Sequence, residues 1–496
     1  IRKKFDQDGR LVAVHTFKGS TLPYPWAGAS DDLTNVISGT SYSYSSGNVI
    51  TVTDAAGKTR TETRDGLGRL TAVAQAGVAA TSYTYNSRDQ ILTVTQTTDS
   101  ATYGEAKTQT RTFVYSPHGR LLSATNPESG TTSYTYYRNG NLKTRTDARG
   151  VTVTLAYDAA KRLESRTYSD GTPTVLYCYD GKVYSGGSCS TLTGRDVDTA
   201  DYPKGRLTGV GNANSVTNHE QVDALGRTTK LKQTVTGMAA GKTITYVWGS
   251  GGAMKRMDLP SGRKVEYALT DAGRVSAVTG KLGSPEVTTT YLSNAKFTAA
   301  GAGLEWNLSG TTMTEKRAYN SIGQMTTMEA KQGTNSLLKL TLDYPTSGNN
   351  GNLMGQTVET GSATYKQFYG YDGANRLRMA LEKPSNTVDL SAATALCSDI
   401  TLANVEWCQR FDYDGFGNAW SAENRSTSGA VTGLAMNGSS WYLVTVGGTQ
   451  IVNNRLANSV GYDLAGNQTQ VHVGNAQRVG AYDGEGRLKK VTENGG

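Results

Sequence analysis

Apolar and polar positions alternate with a period of two along much of this chain. In TSYTYN (81–86) the residues Tyr83 and Tyr85 fall on one side of an extended strand. TSYTYY (132–137) and QFYGYD (367–372) do the same with Tyr134 and Tyr136, and with Tyr369 and Tyr371. No long segment carries apolar residues at i, i+3, i+4 and i+7, so the pattern predicts strands and no helices.

The alternating runs are punctuated at regular intervals. An Asp or Asn follows each run, as at Asn86, Asp158, Asp372 and Asp483, where its side chain can bond nearby backbone and start a turn. Three residues later comes a glycine slot, as at Gly119, Gly140 and Gly486, which supplies a positive φ. Asp89 and Asn375 occupy the slot with residues that tolerate that region, whereas Lys161 suits it less well and predicts a different turn there. A leucine then opens the returning strand, as at Leu70, Leu121, Leu142, Leu163, Leu377 and Leu488. The unit is strand, turn, strand. Gly119, Gly140 and Lys161 succeed one another at 21 residues, and a fixed period of this size marks stacked supersecondary units. One hairpin is marginal alone, but many in series share a sheet that must coil because strands twist.

Composition agrees. The 496 residues include 58 Gly and 28 Tyr against 7 Phe, which suits half-buried pleated surfaces joined by tight turns. Mean hydropathy is -0.46, and no stretch approaches the ~18 apolar residues of a membrane span. No signal peptide is visible at Ile1, and a start without Met points to a processed chain or an excised piece. The net charge of +8 is spread thinly, with Arg2-Lys3-Lys4 the densest basic cluster, so a nucleic-acid-binding stripe is not expected.

An arginine follows the glycine slot at Arg10, Arg69, Arg120, Arg206, Arg227, Arg274 and Arg487. It suits either a ligand-binding ladder or ion pairs with the Asp residues of neighbouring hairpins. A charge that recurs with the repeat is read here as architecture.

The heptapeptide Tyr-Asp-x-x-Gly-Arg-Leu at a period near twenty resembles the YD repeat of the RHS family. It is carried by YDGEGRL (482–488), YDGANRL (371–377) and YSPHGRL (115–121), and in substituted form by FDQDGRL (5–11), RDGLGRL (64–70), YDAAKRL (157–163) and YDLAGNQ (462–468). The resemblance spans the chain from Phe5 to Leu488. It implies an all-β fold in which a spiralling antiparallel hairpin sheet forms a hollow shell, or part of one. In bacterial members the shell encloses a C-terminal toxic domain; related shells occur in toxin complexes and in teneurin-like adhesion receptors. The repeat-turn residues are then structural: Tyr115, Gly119, Arg120, Tyr136, Gly140, Tyr157, Asp158, Tyr371, Asp372, Tyr482, Asp483, Gly486 and Arg487. Residues 1–496 are expected to be one continuous repeat region, with inserted loops near 20–40, 180–202, 280–312 and 383–410. No Asp-Pro pair occurs, so the family's C-terminal core and its toxin are expected to lie outside this chain.

Motifs for chemistry are few. GMAAGKT (237–243) is one residue short of a phosphate loop, and DYDGFGN (412–418) puts Phe416 where a calcium loop needs an oxygen. Incidental calcium remains open at FDQDG (5–9). His15, His118, His219 and His472 have no companions at metal-ligand spacing, and no G-x-S-x-G elbow occurs. No catalytic residue, cofactor or metal is therefore expected. Cys178 and Cys189, and Cys397 and Cys408, each flank ten residues; they suit two loop disulfides in an oxidising compartment or, alternatively, four buried thiols. Trp26, Trp306, Trp407, Trp420 and Trp441 are placed in irregular stretches, as candidate contacts or loop anchors.

The leading expectation is a non-catalytic bacterial shell, secreted or displayed at the cell surface, whose partner is a C-terminal toxin domain. An adhesion module binding cell-surface glycans or proteins is the alternative, and a polysaccharide-degrading enzyme on a β-scaffold the third.

Overall fold

A computed structural model of the chain describes residues 1–17, 36–45, 48–98, 107–192, 201–308, 312–383, 407–426, 435–436, 439–440, 451–452, 455–456, 460–473 and 476–494. Among these residues there is no helix. A single antiparallel sheet of 32 strands runs from Arg2–Phe5 to Ala419–Ser426. Each strand pairs with its successor, as expected of serial hairpins. The exception is Val175–Tyr179, which skips ahead to Leu207–Gly211 and leaves Lys182–Ser185 and Ser188–Thr191 as a separate hairpin. A four-stranded sheet covers Val460–Tyr462 to Leu488–Asn494.

The stretch expected as a loop near 280–312 instead carries ladder strands Val287–Phe297 and Gly303–Leu308. Their turn Thr298–Gly301 closes like the repeat turns although its sequence, TAAG, has lost the Asp. Trp306 and Trp407 likewise lie on ladder strands, as does position 420, and not in irregular stretches. Trp26 and Trp441 lie outside the described residues.

The sheet has two unlike faces. One is a carpet of small hydroxylated residues whose side chains bond across strands, as in Thr84–Thr93, Thr125–Thr131 and Thr146–Thr152 at 2.6, 2.8 and 2.8 Å. The other holds the large side chains, with Tyr134 opposite Arg145, Tyr246 opposite Met257, and Met328 opposite Leu340. Few side chains are fully buried: Leu381, Asn349, Thr208, Cys178 and Cys408 lead them. Along the described strands both faces are mostly half-buried or exposed, so the sheet is a single layer wetted on both sides, not half of a packed sandwich.

This layer coils onto itself. Turns near residues 350 to 376 touch turns near 54 to 79, and turns near 463 to 487 touch those near 130 to 172. Partners across these contacts stand between 296 and 340 residues apart. The order is kept throughout, so a second revolution runs along the first in the same direction. One revolution takes roughly two dozen strands; at about 4.8 Å per strand that is a circumference of at least ~115 Å and a diameter of about 37 Å.

Beneath the off-sheet hairpin, Cys178 and Cys189 form a disulfide with Cα atoms 5.4 Å apart. The hairpin lies on Gly209 and Gly211, where a Cβ would come within 2.9 Å of the Tyr184 nitrogen and 2.5 Å of its ring. Thr208, wholly buried beside it, donates to the Lys182 carbonyl at 2.6 Å. Cys408 is also disulfide-bonded, and Cys397 lies outside the described residues. Reducing the Cys178–Cys189 bond should cost about 3 kcal/mol, the chain entropy withheld from the unfolded state by closing a loop of sequence separation 11. The check is hydrogen exchange at residues 180–192, expected to quicken at least tenfold on reduction while the ladder at 130–168 keeps its protection.

Candidate functional site: the repeat turns and the seam

Every letter of the heptapeptide has a partner. In the turn at 65–69 the Asp65 carbonyl accepts from the Gly68 N–H at 2.9 Å, and the Asp65 N–H donates to the Arg69 carbonyl at 2.9 Å. One oxygen of the Asp65 carboxylate accepts from the backbone N–H groups of Leu67 and Arg69, at 2.9 Å each. The other takes Arg69 Nε at 2.7 Å. The arrangement recurs at Asp6–Arg10, Asp158–Arg162, Asp372–Arg376 and Asp483–Arg487. At Asp158 the Arg162 backbone N–H is the main cause holding the carboxyl below its ordinary value; burial opposes it and the guanidinium adds to it. Asp–Arg ion pairs thus occur inside each turn and also, as expected, between neighbouring hairpins at Arg69–Asp89 and Arg162–Asp180, 2.9 and 2.8 Å apart.

Arginine reaches the neighbour in further ways too. Arg69 donates to the Asn86 carbonyl at 3.2 Å and to Asp89 at 2.9 Å, in the next turn on the same rim. Its guanidinium lies 5.0 Å above the Tyr85 ring, and the Tyr85 hydroxyl donates back to the Leu70 carbonyl at 2.6 Å. Arg120 repeats this with Tyr136, and Arg376 with Tyr413. Trp248 replaces tyrosine beside Arg227, donating from its ring nitrogen to the Thr228 carbonyl at 2.8 Å. Each motif therefore binds the next.

The glycine slot is left-handed throughout, with φ of 81° at Gly119, 91° at Gly140 and 75° at Gly486. Asp89 and Asn375 adopt 60° and 62°. Lys161, expected to mark a different turn, adopts 63° and keeps the bond from its N–H to the Asp158 carbonyl, because the Asp158–Arg162 clamp is the same as elsewhere. Valine at Gly119 would combine a forbidden φ with a Cβ 3.2 Å from Gln90 Nε2. Gly119→Val should lower stability by about 2 kcal/mol or more, read from denaturant midpoints, while Thr110→Val on the exposed carpet stays within about 0.5 kcal/mol.

Among the other tyrosines of the repeat, the Tyr157 ring meets Tyr137 edge-on at 6.0 Å, the Tyr371 hydroxyl donates to the Leu353 carbonyl at 2.9 Å, and that of Tyr482 to the Gln468 carbonyl at 2.7 Å. Tyr115 sits at the end of its strand opposite Leu121. The Asp6 and Asp8 carboxylates of FDQDG both pair with Arg10. His219 contacts Thr228 at 2.7 Å while Glu220 pairs with Lys230. No cluster of three or more potential metal ligands occurs among the described residues.

Periodicity gave no hint of the seam between revolutions. The turns on one rim, which carry the heptapeptide, dock on turns of the opposite rim one revolution earlier, two of which, at 54–58 and 147–151, close with the same Asp cap. Lys58 bonds the Asp372 carbonyl, Arg376 the Gly77 carbonyl, and the Ala79 N–H the Gly415 carbonyl at 2.7 Å. Asp54 accepts from Asn350 and Asn375 at 3.1 and 3.0 Å. Farther along, Arg149 pairs with Asp463 at 3.6 Å and the Gly484 N–H donates to Thr172 at 2.8 Å. Glu485 collects Arg145, Arg166 and the Tyr168 hydroxyl at 3.5, 3.3 and 2.8 Å. Burial, then this carboxylate, hold the Tyr168 phenol well above its ordinary value. Only the Asn-rich run at 349–352 stands out in sequence.

The sequence profile described as RHS Repeat matches residues 136–173, which run from Tyr136 through the Asp158–Arg162 turn. The chain thus carries an RHS repeat there. Solved structures that share this RHS-repeat fold include the crystal structure of TcdB2-TccC3-TEV, at 14% identity and a TM-score of 0.61, covering 99% of this chain and 26% of that one. The Tc holotoxin pore of Photorhabdus luminescens matches at 13% identity and 0.58, over 93% of this chain and 28% of that one. TcdB2-TccC3 matches at 14% and 0.59, over 93% and 29%. The chain thus spans little more than a quarter of these structures. No curated protein matches it in sequence.

Proposed function

We propose that this RHS chain is a wall of a non-catalytic container, delivered outside the cell, that encloses a toxin domain belonging to the same parent protein. The observation that carries the reading is the single-layered sheet that coils past one full revolution and seals turn on turn. The large-residue face, with Tyr246, Met257, Val265, Met328 and Leu340 in register across strands, lines the interior and meets the enclosed chain. The hydroxyl carpet faces water. The chemistry of the described residues is spent on architecture: carboxylates cap turns and arginines tie hairpins.

Limited proteolysis of the parent protein tests the reading. The toxin domain is expected to be cut at least tenfold more slowly inside the intact shell than after Glu485→Arg opens the seam. Equal rates in the two proteins would refute enclosure.

A further inference from the structure

Asparagine stands directly before glycine at four places in this chain, Asn139, Asn350, Asn437 and Asn494. Such a pair is open to a reaction that needs only water. The glycine nitrogen, which has no Cβ beside it, gives its proton to water and bonds to the asparagine Cγ. The side-chain nitrogen leaves as ammonia. Water then opens the five-membered imide at either carbonyl and leaves aspartate or isoaspartate, so an amide donor becomes an anion. Asn139 lies at an exposed turn tip, where that change meets no partner across the seam. Asn350 lies in the seam itself.

Both polar atoms of the Asn350 amide are in use. Its nitrogen donates to Asp54 Oδ2 at 3.1 Å and to Asn375 Oδ1 at 2.9 Å, and its oxygen accepts from the Asn352 N–H at 3.2 Å. Asn375 donates to the same Asp54 oxygen at 3.0 Å. Burial opposes the charge on Asp54, but the two amides and the N–H groups of Lys58 and Ala56 outweigh it and hold the carboxyl below its ordinary value. The contact therefore accepts an amide and rejects a second carboxylate. The attacking nitrogen is held as well. The Gly351 N–H donates to Asn349 Oδ1 at 2.9 Å. Asn349, 1% exposed, exchanges amide bonds with Gln324 at 3.0 and 2.8 Å and donates its own N–H to the Ile37 carbonyl at 3.0 Å. The shut seam thus restrains both reacting groups.

We propose that Asn350 is a spontaneous modification site which the closed seam protects, and that its conversion to aspartate or isoaspartate unlatches the seam at the Asp54 turn and keeps it open. Each opening of the contact frees the Asn350 side chain and the Gly351 nitrogen to react. The new carboxylate then faces Asp54 with no proton to donate, and isoaspartate also lengthens the backbone of the 349–352 turn by a methylene. Loss of ammonia makes the change one-way. The inference rests on the seam alone and stands whether or not the interior holds a toxin.

Peptide mapping by mass spectrometry during incubation at mildly alkaline pH tests the protection, with Asn139 as a control in the same chain. Asn350 should convert at least tenfold faster in Asp54→Ala than in wild type, while Asn139 converts equally in both. Equal Asn350 rates in the two proteins overturn the proposal. Hydrogen exchange tests the unlatching. Asn350→Asp should raise exchange at least tenfold at 54–58 and 349–352, while an unchanged ladder at 130–168 shows that the chain is folded. Asp54→Asn/Asn350→Asp exchanges amide and carboxylate across the seam and should restore most of the lost protection. Unchanged exchange in Asn350→Asp overturns the unlatching. No recovery in the double variant assigns the loss to the 349–352 turn by itself and overturns it equally.

Discussion

Asp372→Ala is expected to lower stability by about 3 kcal/mol, the cost typical of removing one partner from a buried ion pair. The residue is 8% exposed. Its carboxylate accepts from the backbone N–H groups of Ala374 and Arg376 at 2.9 Å each and from Arg376 Nε at 2.6 Å. Alanine leaves two turn donors and a guanidinium without that acceptor. Arg376 is also the cation that crosses the seam to the Gly77 carbonyl and stacks on Tyr413 at 4.3 Å. Loss of its anchor should loosen three places together: the turn, the next hairpin and the revolution beneath. Asp6→Ala removes the same contacts at an exposed turn that meets no seam among the described residues, and should cost far less. Denaturant midpoints for the pair measure the difference. Equal losses would show that the seam adds nothing to the turn.

Glu485→Arg is expected to release the terminal sheet. The wild-type carboxylate lies among Arg145, Arg166 and Tyr168. A guanidinium there would set three cations together and leave the Tyr168 hydroxyl without its acceptor. Hydrogen exchange should rise at least tenfold across 460–494 and in the turns at 147–172, with no change near the Asp54–Asn350 contacts. Glu485→Gln, which keeps the shape and one acceptor, should lie between. Unchanged exchange in Glu485→Arg would mean that Arg149 and Thr172 hold the seam without it.

The hairpins are legible in the sequence because their information is local. Tyr85, Asn86, Asp89 and Leu70 announce a turn and two strands within twenty residues, and alternation alone assigns the faces. The Lys161 turn is misjudged when intrinsic preference for left-handed backbone is weighed without the Asp158–Arg162 clamp that overrides it. Likewise the strands at 287–308 are hard to see once their turn has lost its Asp. The seam is illegible for a stronger reason. Glu485 and Arg145 are 340 residues apart, and their meeting depends on how many strands complete a revolution. That number follows from accumulated twist and curvature, which no single hairpin encodes. The disulfide spacing is readable, whereas the seat for its hairpin at Gly209 and Gly211 is not, since glycine on a strand has many uses.

The strictly successive pairing of strands has a kinetic meaning. Each hairpin needs only its immediate predecessor as a template, so ordering can advance from the first strand as the polypeptide emerges, without waiting for distant segments. Loop closure is short at most steps, the skip from Val175–Tyr179 to Leu207–Gly211 being an exception, and low contact order favours rapid acquisition of structure even in a long β-protein. Only the seam contacts, such as those of Asp54, Asp372 and Glu485, demand remote partners, and they form last, when the coil has come round. A sheet built this way rewinds after unfolding from one end, one strand after another.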